Sequence, residues 1–143
     1  MIPPPFDVGV QSPALIKKLV QLAYGENRAN PTPEEVHAIV GTVLERPGLA
    51  GYPDDPLDVL AQPKQYSPFN PADPNYPVVN SFDEQHPDWA RFEGMVREAL
   101  AKPQARFTHY FSGEPPAWAK ALGGLTRIGS HTFGRENRRK KKR

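Results

Sequence analysis

The stretch "SPALIKKLVQLAYGENR", residues 12–28, decides how this chain is read. Ser12 is placed as an N-cap, with Pro13 at the first helical position, where its missing N–H costs nothing. Leu15, Ile16, Leu19, Leu22 and Ala23 recur at helical spacing and predict one buried stripe. Gly25 weakens the helix near its end. Glu26 continues the line of Leu15, Leu19 and Leu22, which puts a carboxylate on the apolar face. An exposed glutamate belongs opposite, beside Lys17, Lys18 and Gln21. Two readings follow. Either the helix frays after Tyr24 and Gly25 and Glu26 turns to solvent beside Arg28, or the helix continues and desolvates the carboxyl. Desolvation favours the protonated form of a carboxyl, and a glutamic acid so held can act as a general acid, the species that glycosidic cleavage needs.

Working outward, "NPTPEEVHAIVGTVLERPG" is the clearest helix. Thr32 and Glu35 form a capping box with Pro33 at the first position, and Pro47-Gly48 stops the helix. Val36, Ile39, Val40, Val43 and Leu44 are its buried face. "DDPLDVLAQ" predicts a short helix capped by Asp55. Residues 62–80 are too rich in Pro, Asn and Asp for regular structure, and long loops in compact domains are often functional. "HPDWARFEGMVREALAKP" is a helix burying Trp89, Phe92, Val96, Ala99 and Leu100 and ending at Pro103. The period then changes. "RFTHYF" alternates as a strand, and "LTRIGSHTFGR" reads as a hairpin with Gly129-Ser130 suited to a type II′ turn. The expectation is an α+β chain, mainly helical, with a small C-terminal antiparallel sheet. Its parts are an arm over 1–11, a domain over 12–134 and a basic tail over 135–143.

Composition bounds the function. With 143 residues the chain fits one domain able to bury a core. Eighteen prolines and 11 glycines are about a fifth of the residues, short of the roughly 25–30% that marks low complexity. There is no cysteine, which excludes disulfides and thiolate metal sites. No run approaches the ~18 apolar residues of a membrane span, and "MIPPPFDVGV" is not a Sec signal peptide. The tail "RENRRKKKR" holds seven of the 18 basic and one of the 16 acidic residues, a net +6 that leaves −4 for everything before it.

"AYGENR", "VLERP", "QYSPFN", "THYFSGEPPAWA" and "RIGSHTFGR", in that order over most of residues 14–135, resemble the SleB-like cell-wall hydrolase family, the spore-cortex-lytic enzyme type. The resemblance implies a lysozyme-like α+β domain that cleaves peptidoglycan glycan strands, with Glu26 as the catalytic acid. It implies a lytic transglycosylase, a muramidase that cuts between N-acetylmuramic acid and N-acetylglucosamine with one glutamate. Asn27, Tyr66 and Glu45 depart from the family's usual alanine, phenylalanine and asparagine.

Gln65, Tyr66 and Ser67 offer an amide, a ring and a hydroxyl within three residues, the groups a sugar site uses. The alternative is a turn whose tyrosine packs down. Tyr110 is placed in the cleft, Trp118 stacks on a sugar or anchors a loop, and His131 holds a loop or contacts substrate. His37, His86, His109 and His131 lack zinc-ligand spacing, so no metal or other cofactor is expected. Asp83, Glu84, Asp88 and Glu93 read as solvated first turns of their helix, one of them being a candidate second carboxylate. The absence of a leader favours a phage-encoded enzyme, an endolysin or a virion component, released to the wall. The tail is a solvated end, an adhesive for anionic envelope polymers or a nucleic-acid contact. The competing reading is a non-catalytic virion protein whose tail binds a partner protein or nucleic acid.

Overall fold

A computed structural model describes residues 12–63, 65–102 and 107–141. The N-terminal arm, Pro103 and the last two tail residues lie outside the described residues. The chain is α+β: among the described residues five α-helices are followed by a small antiparallel sheet. Among the described residues no helix is long and apolar enough to cross a membrane.

Helix α1 (Pro13–Asn27) starts as its sequence dictates, with the Ser12 hydroxyl accepting from the Leu15 amide at 3.1 Å. It does not fray at Gly25 but runs through Glu26 to Asn27. Gly25 is there for contact: a Cβ on it would stand 2.7 Å from Val79 Cγ2 and 3.0 Å from Pro68. Lys17 faces solvent as expected, but Gln21 is buried and donates to the Phe82 carbonyl at 3.2 Å. The segment around Phe82 covers that side of α1, so the helix is buried on more than one stripe.

Helix α2 (Pro33–Glu45) is capped by Thr32, whose hydroxyl accepts from the Glu35 amide at 3.2 Å. A 3-10 turn over Arg46–Gly48 ends it. Asp55 caps α3 (Pro56–Ala61). Residues 62–80 are more regular than their composition predicts, with a 3-10 turn over Ser67–Phe69 and the five-residue helix α4 (Tyr76–Asn80). Side chains of Asn70 and Asp73 accept backbone N–H groups two residues on, organising the turns that precede α4. Helix α5 (Trp89–Ala101) packs against both α1 and α2, with Phe92 and Val96 fully buried. The carboxylates near its start stay structural: Glu93, for instance, accepts from Trp89 Nε1 and Arg97.

Strands β1 (His109–Phe111), β2 (Leu122–Ile128) and β3 (His131–Glu136) form a sheet of order β1-β3-β2, both pairs antiparallel. Phe133 on the central strand is fully buried and joins the sheet to the helical core. Ile128 pairs with His131, which leaves Gly129-Ser130 as the two-residue turn. Gly129 has φ +63°, the left-handed value that primed turns require of their first residue. A Cβ there would also stand 2.6 Å from the Glu35 Cδ. Gly129→Ala is therefore expected to cost about 2–3 kcal/mol, from left-handed strain and from displacing Glu35, measured by chemical denaturation. Ser130→Ala, which keeps the glycine and the backbone N–H, is the milder comparison.

The segment after residue 134 is not a separate tail as far as residue 141. Strand β3 continues to Glu136, and Arg135 Nη2 bonds Glu45 Oε1 at 2.6 Å. The Ala50 amide donates to the Arg139 carbonyl at 2.8 Å, the Lys141 amide to the Gly48 carbonyl at 2.9 Å, and Lys141 Nζ pairs with Asp54. Acidic groups and free carbonyls of the body hold the basic run down, so the folded unit extends seven residues beyond the expected boundary.

Candidate active site

A cleft of about 740 Å³ opens between the end of α1, the end of α2 and the sheet. Glu26 lines it, with 12% of its side chain exposed. The helical line Leu15, Leu19, Leu22 leads into the core, and one more turn carries the same face out to the cleft. That resolves the choice left open by sequence: the carboxylate is on the buried face.

Behind Glu26 lies a chain of charged groups. His131 Nε2 is 3.3 Å from Glu26 Oε2, and His131 Nδ1 is 2.6 Å from Glu35 Oε2. Glu35 is 1% exposed and fully satisfied. Its Oε2 also accepts from the Ser130 amide at 2.9 Å and hydroxyl at 3.0 Å, and its Oε1 accepts from Asn27 Nδ2. The side chain thus leaves the capping box and ties α1, α2 and the hairpin turn together. A carboxyl group thus faces each ring nitrogen of His131. Burial alone lowers its pKa, but hydrogen bonds and charge from Glu26 and Glu35 outweigh that and raise it above the ordinary histidine value.

Tyr110 packs edge-on to His131, ring centroids 5.3 Å apart, and faces Glu26. Burial first, and then the Glu26 charge, push its hydroxyl well above the usual tyrosine value, so it remains a donor. Gln65 and Ser67 line the mouth and are exposed. Trp118 presents an indole 48% exposed to the same cleft, 5.6 Å from the His109 ring. Tyr66 is a correction. It is 2% exposed, its hydroxyl is 3.0 Å from Thr42 Oγ1, and its ring supports the Arg46 guanidinium at 4.8 Å. It supports Arg46 from beneath and does not line the cleft.

Arg46, Glu136 and His109 line the cleft without having been singled out in the sequence. Arg46 is visible only as the residue that follows α2 in "LERPG". Glu35 had a stronger signal, because it stands four and eight residues before Ile39 and Val43, the argument that marks Glu26. Glu136 is the second carboxylate of the cleft, in place of the four acidic residues near α5. It sits 3.4 Å from His109 Nε2 and is bonded by Arg138.

His109 is neutral. Thr108 Oγ1 accepts from the Glu136 amide at 2.7 Å, which turns its own hydrogen toward His109 Nδ1, 2.8 Å away. Burial, with the Arg46 charge next, lowers the ring's pKa to about 4. The two histidines give opposite pH slopes. His109, depressed when folded, loses stability as pH falls from ~6.5 toward its folded value, on the order of 1–2 kcal/mol after solvent screening. His131, raised when folded, contributes fully below ~6.5 and loses its contribution as pH rises through its folded value. Thermal melts across pH 4–9 are expected to show His109→Asn flattening the acid limb and His131→Gln the alkaline limb. Identical limbs in wild type and both variants would contradict these environments.

No family model, curated protein or solved structure matches the chain.

Proposed function

We propose that the protein is a peptidoglycan-cleaving muramidase of lysozyme-like fold, acting as a lytic transglycosylase with Glu26 as acid and then base. The observation that carries this reading is the Glu26 carboxyl itself, held by His131 and facing Tyr110 in a cleft whose mouth offers an indole, an amide and a hydroxyl. Cyclic sugars are bound by rings against pyranose faces and by directional polar groups for hydroxyls and acetamides. Trp118, Gln65 and Ser67 supply those groups. The motif blocks shared with the SleB-like family add support in their order and spacing.

In this mechanism protonated Glu26 gives its proton to the glycosidic oxygen while the C1–O bond breaks. The charge then left on Glu26 develops beside His131, whose Nε2–H donates to it. A preorganised donor of this kind stabilises the transition state with little reorganisation. Glu26 next takes the proton of the muramoyl C6 hydroxyl as that oxygen bonds to C1. The acid is regenerated and a 1,6-anhydro ring closes. Glu35 and Tyr110 are positioning residues. Glu136 is the group to watch, because a second carboxylate able to activate water would give a hydrolytic product instead.

The test is release of fragments from purified peptidoglycan by wild type and by Glu26→Gln. Release by wild type alone is expected. Equal release by both, or none by either from walls of several chemotypes, would contradict the reading. The tail-driven binding alternative draws no support from residues 135–141, whose backbone and several of whose basic groups are engaged with the body.

A further inference from the structure

Arg46 is 3% exposed, yet among the described residues no carboxylate lies within 4.0 Å of its nitrogens. Its Nε donates to the Thr108 carbonyl at 2.9 Å and its Nη1 to Gln65 Oε1 at 3.3 Å, both neutral acceptors. The plane rests against the rings of Tyr66 and Tyr52, at 4.8 and 5.2 Å. Among the described residues Nη2 has no acceptor, and it is not sealed from solvent, so it opens on the cleft that Arg46 lines. A guanidinium cannot shed its proton, and burying one without an anion is costly. The Gln65 contact is also long beside the roughly 2.7–2.9 Å of a charge-assisted bond, and Gln65 is exposed and free to swing away. A neutral amide oxygen occupies the place that an anionic oxygen fits better. Arg46, Glu26 and Tyr110 line the same cleft, so the cation and the acid face one site.

We propose that Arg46 is the anion-binding point of the cleft and takes a carboxylate borne by the muramoyl unit, displacing the Gln65 amide oxygen. This rests on the muramidase reading and narrows its substrate. The carboxylate comes from one of two sources: the lactyl ether of a peptide-free muramic residue, or the peptide attached to it. Their shared chemistry is one oxyanion presented to the Nη1/Nη2 edge.

The experiment follows the Arg46 Nε–H resonance in the ¹⁵N-labelled full chain. It is titrated with N-acetylmuramic acid, with its lactyl carboxamide, and with the muramoyl dipeptide, whose free carboxylate lies on the peptide. The acid is expected to shift that resonance and to bind roughly tenfold tighter than the carboxamide. A shift with the dipeptide but not the acid assigns the peptide source. Gln65→Glu seats the protein's own carboxylate at the same point. It is expected to raise the melting temperature and to bring the acid-to-carboxamide ratio toward one. This variant keeps the Thr108 anchor, which Arg46→Gln removes. No Arg46 shift with any probe, or a carboxamide that shifts Arg46 at the affinity of both carboxylate probes, overturns the proposal. Carboxylate-selective binding without fragment release overturns only the muramidase reading. Fragment release without carboxylate selectivity overturns only the role of Arg46.

Discussion

Glu26→Gln is expected to reduce fragment release from purified walls by about a thousandfold while the protein stays folded. Glutamine has the same shape, and its amide oxygen still accepts from His131 Nε2, 3.3 Å from the carboxylate oxygen it replaces. What it lacks is a transferable proton. Loss of a positioned general acid costs typically 10²–10⁴ in rate. Glu26 is charged with two proton transfers in one turnover, which places the loss well above the bottom of that range. Denaturation midpoints should differ by no more than about 1–2 kcal/mol, since one charge-assisted bond becomes a neutral one. A variant that releases fragments within tenfold of wild type would remove Glu26 from the chemistry.

Glu35→Ala carries the largest stability effect. The carboxylate is 1% exposed and accepts from Asn27, from the Ser130 amide and hydroxyl, and from His131. Truncation strands these donors and leaves His131 with a single carboxylate. Breaking a buried charged pair on one side costs about 3–5 kcal/mol. Glu34→Ala, one residue away and exposed, should stay within about 0.5 kcal/mol. The His131 titration, followed by NMR, should move down in the Glu35 variant, because one of the two groups that raise it is gone. Activity should fall with it, as the imidazole ring facing Glu26 is no longer held on its far side. A loss below 1 kcal/mol with an unmoved titration would mean that the Glu35–His131 contact does not form.

The fold was legible where one residue type has one physical use. Ser12, Thr32 and Asp55 cap the helices that their side chains predict, and the change from helical to alternating period marks where the sheet begins. Legibility failed where tertiary neighbours decide. Gln21 is polar and reads as surface until the segment around Phe82 covers it. The basic run after residue 134 reads as solvated because no local pattern announces that Asp54, Gly48 and Ala50 will meet it. Helix α4 is too short for periodicity and arises from the side-chain turns before it.

The site was half readable. Glu26 stood out because a carboxylate on an apolar stripe needs a reason. Glu35 stands on the same kind of stripe, but its place three residues after Thr32 offered a sufficient local explanation, and the cap hid its second use. Asn27, a departure from the resembling family, turns out to bond the second oxygen of Glu35. Arg46 was hidden differently. Arginine at a helix C-terminus is ordinary, and only the packing of Tyr52, Tyr66 and Thr108 around it makes it a buried cation.

The mass of the glycan ends released from purified peptidoglycan tests the single-glutamate mechanism at its product. Wild type is expected to give 1,6-anhydromuramoyl ends and Glu26→Gln none. Reducing muramic ends from wild type would contradict the single-glutamate mechanism and turn attention to Glu136 as a water-activating partner.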